Sequence, residues 1–150
     1  MKPYRIGIVG YSFGRVHAEA YRQLPFYTDV GAPIELVGVA TSRPETAEKA
    51  KKAEGGFALA TADWRELVTS PEVDIVHVCT PDDLHHPIAS AALAAGKHVY
   101  CEKPLARTVA EAEDLCARAR ASGRVAQVAF QMRFGSAAQA ARRLIQDGTL

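Results

Sequence analysis

A chain of 150 residues, 48% of them apolar, is long enough to bury one real core. Lys+Arg 18 against Asp+Glu 17 leaves a net charge of +1, which argues against nucleic acid or a membrane surface as the main partner, so any anionic ligand has to be met by local groups. Three cysteines, Cys79, Cys101 and Cys116, cannot all pair, the chain enters an apolar strand almost at once, and no apolar run is long enough to span a bilayer; the expected setting is reducing and cytoplasmic, without a signal peptide.

The run Tyr4-Arg5-Ile6-Gly7-Ile8-Val9 is short, apolar and rich in strand formers, and predicts the first strand. The turn Gly10-Tyr11-Ser12-Phe13-Gly14 follows. A helix is predicted over 15–24, where Val16, Ala20 and Leu24 recur at helical spacing and Pro25 marks the end. A second strand covers 34–40. A helix over 44–54, stopped by Gly55-Gly56, leads to a short third strand over 57–59 and a helical turn over 64–68 capped by Asp63. Residues 73–79 are an apolar run of the kind that parallel sheets bury. Thr80-Pro81-Asp82-Asp83 ends it, and a helix over 86–95 stops at Gly96. The rest reads as a strand over 98–101, the turn Glu102-Lys103-Pro104, a helix over 109–121 ended by Gly123, a strand over 125–130 and an amphipathic helix over 137–146.

Strand and helix alternate with short connections and no repeat. The expected fold is therefore α/β: a Rossmann-like, doubly wound parallel sheet in three layers, one domain over 1–150. Ligands on such sheets bind at the carboxyl ends of the strands, which directs attention to 10–14, 41–43, 80–86, 102–104 and 131–134.

The first of these segments is a strand, a glycine turn and a helix, the layout of a dinucleotide site. Glycine lets the backbone approach a pyrophosphate, and the free N–H groups of the helix hold the anion. The G-x-G-x-x-G fingerprint is met imperfectly: Ser12 stands at the second glycine position, and the third glycine arrives one residue early, at Gly14. The same residues fit G-x-S-x-G, a nucleophile elbow with Ser12 as nucleophile, although no earlier strand is available to supply an oxyanion loop.

At the end of the second strand an NAD site wants a carboxylate for the ribose 2′-OH, and an NADP site wants hydroxyls and an arginine for the 2′-phosphate. Asp29 lies about 20 residues past the turn but precedes that strand. Thr41, Ser42 and Arg43 fit the NADP pattern, and the plain structural alternative is a helix start with Thr41 or Ser42 as N-cap and Arg43 solvated. No metal is expected, because His98-x-x-Cys101 has strand spacing with alternate residues on opposite faces. His77, inside an apolar strand, reads as a hydrogen-bonded core histidine.

Four strand ends together carry a family pattern: Ile8-Val9-Gly10 to His17; Thr80-Pro81-Asp82-Asp83-Leu84-His85; Ala95-Gly96-Lys97-His98-Val99-Tyr100-Cys101-Glu102-Lys103-Pro104; and Gln131-Met132-Arg133-Phe134. Over essentially its whole length the sequence resembles the glucose–fructose oxidoreductase / inositol dehydrogenase (Gfo/Idh/MocA) family. The resemblance implies an N-terminal Rossmann domain for NAD(P), followed by a larger α/β domain that binds a sugar, a cyclitol or a related compound and through which the full protein forms homo-oligomers. That second domain is absent from these 150 residues.

The resemblance also assigns roles. Hydride transfer at an alcohol carbon needs a proton moved at the adjacent oxygen. An ammonium at a strand end beside the nicotinamide serves that need; Lys103 matches the family's catalytic lysine. Pro104 holds the lysine backbone extended and is a candidate for a cis peptide bond, and Glu102 pairs with a cation or shapes the turn. Thr80 and Pro81 match residues along the nicotinamide ribose. His85 matches a histidine at the next helix start, either catalytic or a solvated helix residue. Arg133 matches an arginine near the domain junction that faces cofactor or substrate or pairs structurally. Three functions stand beside one another: the cofactor half of an oxidoreductase, a non-catalytic dinucleotide-binding module or sensor subunit, and a serine hydrolase.

Overall fold

The computed structural model describes residues 1–150, the side chain of Glu54 excepted. Six strands form one fully parallel sheet: β1 (Tyr4–Val9), β2 (Ile34–Ala40), β3 (Leu59–Thr61), β4 (Ile75–Val78), β5 (His98–Cys101) and β6 (Ala126–Val128), in the order β3-β2-β1-β4-β5-β6. The helices are α1 (Tyr11–Tyr27), α2 (Pro44–Glu54), α3 (Trp64–Thr69), α4 (His85–Ala94), α5 (Val109–Ser122) and α6 (Ser136–Gln146). Among the described residues no helix is long and apolar enough to cross a membrane.

Alternate residues of each strand feed two apolar layers. On one face Ile6, Ile8, Val39 and Cys79 pack with Ala18 of α1 and Ala50 of α2. On the other, Val76, Val78, Val99 and Cys101 pack with Leu67 of α3, Ile88 and Leu93 of α4 and Leu115 of α5. Strand order reverses between β1 and β4, where the ladder runs on past the strands: Gly10 N–H donates to the Ala40 carbonyl at 2.8 Å, Cys79 N–H to Val9 at 2.7 Å and Glu102 N–H to Val78 at 2.9 Å. The carboxyl ends of β2, β1, β4 and β5 are thereby held level.

The three-layer fold and its alternation match the sequence reading, and β2, α2 and β5 have the expected bounds. Three differences have physical causes. α1 begins directly after Gly10 and runs through Pro25, because a proline in the last turn gives up only its own N–H bond while Thr28 N–H still reaches the Leu24 carbonyl at 3.1 Å. β3 is 59–61 and not 57–59, because Phe57, 2% exposed, is drawn under Tyr11 with ring centroids 5.9 Å apart. Arg43, not Thr41 or Ser42, occupies the N-cap position of α2. α6 is amphipathic as expected but buries none of its residues.

Candidate functional site

Gly10 has φ +88, and a Cβ built on it would lie 2.5 Å from the Cys79 carbonyl oxygen and 2.8 Å from Thr80 N. Only glycine fits between the ends of β1 and β4. Because α1 starts one residue later, its first N–H groups have no acceptor within the helix, and Tyr11 and Ser12 line the cavity above them. Gly14 is different. It is buried, and its Cβ would meet Ile8 Cγ2 at 2.6 Å, so it lets α1 press onto β1, and it is not part of the cavity lining. Phe13 also stays outside the cavity, edge-on to His17 at 5.2 Å.

The cavity, about 760 Å³, spans the carboxyl ends of β1, β2 and β4. The expected residues Gly10, Tyr11, Ser12, Thr41, Ser42, Arg43, Thr80 and Pro81 all line it. The Thr41 hydroxyl is already committed: it lies 2.6 Å from the Thr46 hydroxyl, and both lie 2.8 Å from the Arg43 carbonyl. These bonds shape the loop that presents Ser42 and Arg43.

Arg15, Lys49, Trp64 and Leu84 also line the cavity and escaped the sequence reading. Thr46, Lys49, Ala50 and Ala53 follow helical spacing along α2, and Trp64 follows the end of β3, so helix periodicity and the strand-end rule applied to β3 would have found Lys49 and Trp64. Among the lining residues three are cations, Arg15, Arg43 and Lys49, and none is an acid.

The β5 end is built on buried polar groups. The Lys103–Pro104 peptide bond is cis, as expected. Glu102 is 5% exposed; its Oε2 accepts from Lys103 N–H at 3.1 Å, while its Oε1 lies 2.9 Å from His17 Nε2 without the alignment of a hydrogen bond. His85 is 1% exposed, with Nδ1 2.7 Å from the Pro104 carbonyl and Nε2 2.9 Å from the Thr80 carbonyl. An imidazolium donates to both carbonyls and a neutral ring to one. The ring is therefore not solvated, and it straps together the ends of β4 and β5. Lys103 is exposed, and neither it nor Glu102 nor Arg133 lines the cavity. Arg133 sits on an exposed 3-10 turn, Gln131–Phe134, and its carbonyl accepts from Gln139 Nε2 at 2.6 Å.

Behind this end, His77 is wholly buried and is held neutral, with a pKa lowered to about 3 by burial and by His17. Burial also pushes the Cys79 thiol up, and Glu102 and Cys101 add to the effect. The expected hydrogen bond of His77 exists on one side, where Nδ1 lies 3.2 Å from the Tyr21 hydroxyl.

A serine hydrolase needs a histidine on Ser12. All five histidines are engaged elsewhere: His17 beside Glu102, His77 on Tyr21, His85 on two carbonyls, His86 on Asp114 and His98 on Val125 N. The nucleophile-elbow reading therefore has no base.

Sheet order, glycine turn and an acid-free cleft at the switch point define a dinucleotide-binding domain of the doubly wound class. More narrowly, the chain belongs to the Gfo/Idh/MocA oxidoreductases, a family with an NAD-binding Rossmann fold, whose sequence pattern it matches over residues 4–130. It is similar to levoglucosan dehydrogenase of Pseudarthrobacter phenanthrenivorans, with 36% identity over 100% of this chain and 39% of that enzyme. The crystal structure of a levoglucosan dehydrogenase with NADH and L-sorbose superposes with a TM-score of 0.92 at 35% identity, covering 99% of this chain and 40% of that one. Biliverdin reductase from Synechocystis sp. PCC 6803, solved with biliverdin and NADP+, superposes with a TM-score of 0.78 at 32% identity, over 97% of this chain and 43% of that one. The chain thus spans less than half the length of these relatives.

Proposed function

We propose that the chain is the cofactor-binding domain of an NAD(P)-dependent oxidoreductase acting on a sugar, a cyclitol or a related hydroxy compound, that NADP is its preferred coenzyme, and that a substrate-binding domain makes up the rest of the protein. The observation that carries this reading is the cavity lining, with three cations and no acid at the carboxyl ends of β1 and β2. An NAD site would place a carboxylate there, where Ser42, Arg43 and Lys49 suit a 2′-phosphate. The residues fit the coenzyme: Gly10 allows the tight turn from β1 into α1 against the end of β4, and the first N–H groups of α1 supply donors for a pyrophosphate.

Bound nicotinamide supplies or accepts the hydride. The chain's own work is proton handling and orientation. Lys103 is the group that binds and protonates or deprotonates the substrate oxygen. Glu102 fixes its backbone through the Lys103 N–H, and His85 fixes the next carbonyl, so the turn is gripped on both sides of the lysine. Thr80 and Pro81 border the cavity where β4 ends, beside the carbonyl that His85 holds. The likeness to levoglucosan dehydrogenase supports the sugar-like substrate class.

Calorimetric titration of the 150-residue chain tests the reading. NADP(H) is expected to bind in the micromolar range and more tightly than NAD(H). Absence of heat with both nucleotides would overturn the whole reading, and tighter binding of NAD(H) would overturn the preference alone.

A further inference from the structure

One cluster of ligating side chains lies behind the nucleotide cleft, reaching its lining only through Cys79. His77 and Cys79 are alternate residues at the end of β4 and so share one face of the sheet, and His17 of α1 lies against them. One ring nitrogen of each histidine and Cys79 Sγ lie within 4.8 Å of one another. The carboxylate of Glu102 adjoins His17, with Oε1 2.9 Å from His17 Nε2.

These groups are buried and poorly satisfied. His77 is 0% exposed, Cys79 7% and Glu102 5%. The Nε2 atoms of His17 and His77 and Oε1 of Glu102 are all shut off from water and make no hydrogen bond. Buried polar atoms are almost always paired. His17 Nε2 and Glu102 Oε1 at least face each other, whereas His77 Nε2 faces no partner at all, and a cation held among His77, His17 and Cys79 would supply one. We propose that His17, His77 and Cys79 bind a divalent metal ion of the zinc type, with the Glu102 carboxylate beside His17.

The donor set selects that class. Imidazole and thiolate together suit Zn²⁺ or Co²⁺, while a sulfur ligand excludes Mg²⁺ and Ca²⁺. The thiolate offsets one of the two positive charges, and the Glu102 carboxylate beside His17 offsets the other. Around a tetrahedral ion the ligand atoms stand roughly 3.3–3.8 Å apart. His17 is the least enclosed ligand, its side chain 15% exposed. The outer support is in place as well: with Nε2 on the metal, His77 Nδ1–H donates to the Tyr21 hydroxyl, 3.2 Å away. The site also touches the catalytic turn, because the second oxygen of Glu102 accepts the Lys103 N–H.

Cobalt reports the site directly. Titrating the metal-free 150-residue chain with Co²⁺ is expected to give one equivalent of binding, with the visible bands of a tetrahedral ion and a thiolate-to-cobalt charge-transfer band, all displaced by Zn²⁺. Cys79→Ala is expected to remove the charge-transfer band. His77→Val, which keeps an apolar strand residue, is expected to weaken binding by more than about 100-fold, beyond the usual cost of losing an outer-shell partner. Cys116→Ser, at an exposed thiol on α5, is expected to change nothing. A wild-type chain without the charge-transfer band would overturn the proposal. So would a band that survives Cys79→Ala or vanishes with Cys116→Ser. If Cys79→Ala loses its circular dichroism, His77→Val decides, and unchanged affinity there would overturn the site. Nucleotide is absent throughout, so the outcome is independent of the coenzyme assignment.

Discussion

The two ends of the strand edge that carries the site are built on opposite principles. At Gly10 the site is defined by atoms that are not there, since a single methyl group would meet the backbone of Cys79 and Thr80. At Glu102–Pro104 it is defined by atoms that must be there, a buried carboxylate and a buried imidazole holding an N–H and two carbonyls. The first end tolerates no addition and the second no subtraction. One leaves a smooth surface for a ligand to lie on, and the other holds a single lysine in place.

The largest effect is expected from addition at the first end. Gly10→Ala combines a disfavoured φ with a 2.5 Å clash, and is expected to cost about 2–6 kcal/mol in urea unfolding. A loss below about 0.5 kcal/mol, the size of an ordinary surface change, would break the contrast. Subtraction at the second end comes next. His85→Ala removes the ring held between two carbonyls, leaves at least one of them without a donor and opens a void, with an expected cost of about 2–4 kcal/mol. Neutral behaviour would show that the strap does not bear on stability.

Between the two ends, Arg43→Ala sharpens the comparison from the ligand's side. It is expected to weaken NADP binding about 10–100-fold and leave NAD binding nearly unchanged, as calorimetry would measure. Equal loss for both would mean that Arg43 does not read the 2′-phosphate. A smaller effect is expected at a charged pair remote from the cavity, where the Arg5 guanidinium, at 2.8 and 2.9 Å, holds the Asp74 carboxyl well below the usual carboxylate range. A depressed folded-state pKa means stability that is present above the unfolded value, about 3.9, and is lost as pH falls below it. Asp74→Asn is therefore expected to cost about 1 kcal/mol at pH 7, the pair being partly screened by solvent, and the gap from wild type is expected to narrow below about pH 4. A gap that is constant with pH would show that the ion pair is not its source.

The sequence made the fold legible because alternation and apolar runs are local signals, and β2 and β5, flanked by clear stops, fall where expected. It missed where tertiary packing intervened. Phe57 belongs to an apolar strand by composition but is claimed by Tyr11. Gly14 fits a phosphate motif by position but is occupied by Ile8. The cleft residues at strand ends were legible, since topology alone puts them there. The roles of His85 and Glu102 were not, because what each touches comes from a segment that adjoins it only in three dimensions: the Thr80 and Pro104 carbonyls for His85, and His17 for Glu102. The i, i+2 step from His77 to Cys79 was visible in the sequence, but the approach of His17 to it comes from α1 packing on the sheet.

None of the eleven residues of α6 is buried, and Leu144 and Ile145 face water, so this helix rests on its own backbone bonds and the contact of Gln139 with the Arg133 carbonyl. Its amides are expected to exchange with deuterium far sooner than those of β1 or β4, because opening it uncovers almost nothing. A polypeptide trimmed after Ala129, the last enclosed residue, is accordingly expected to melt at the same temperature as the intact one, and a clear drop would reveal support that α6 lends to the sheet.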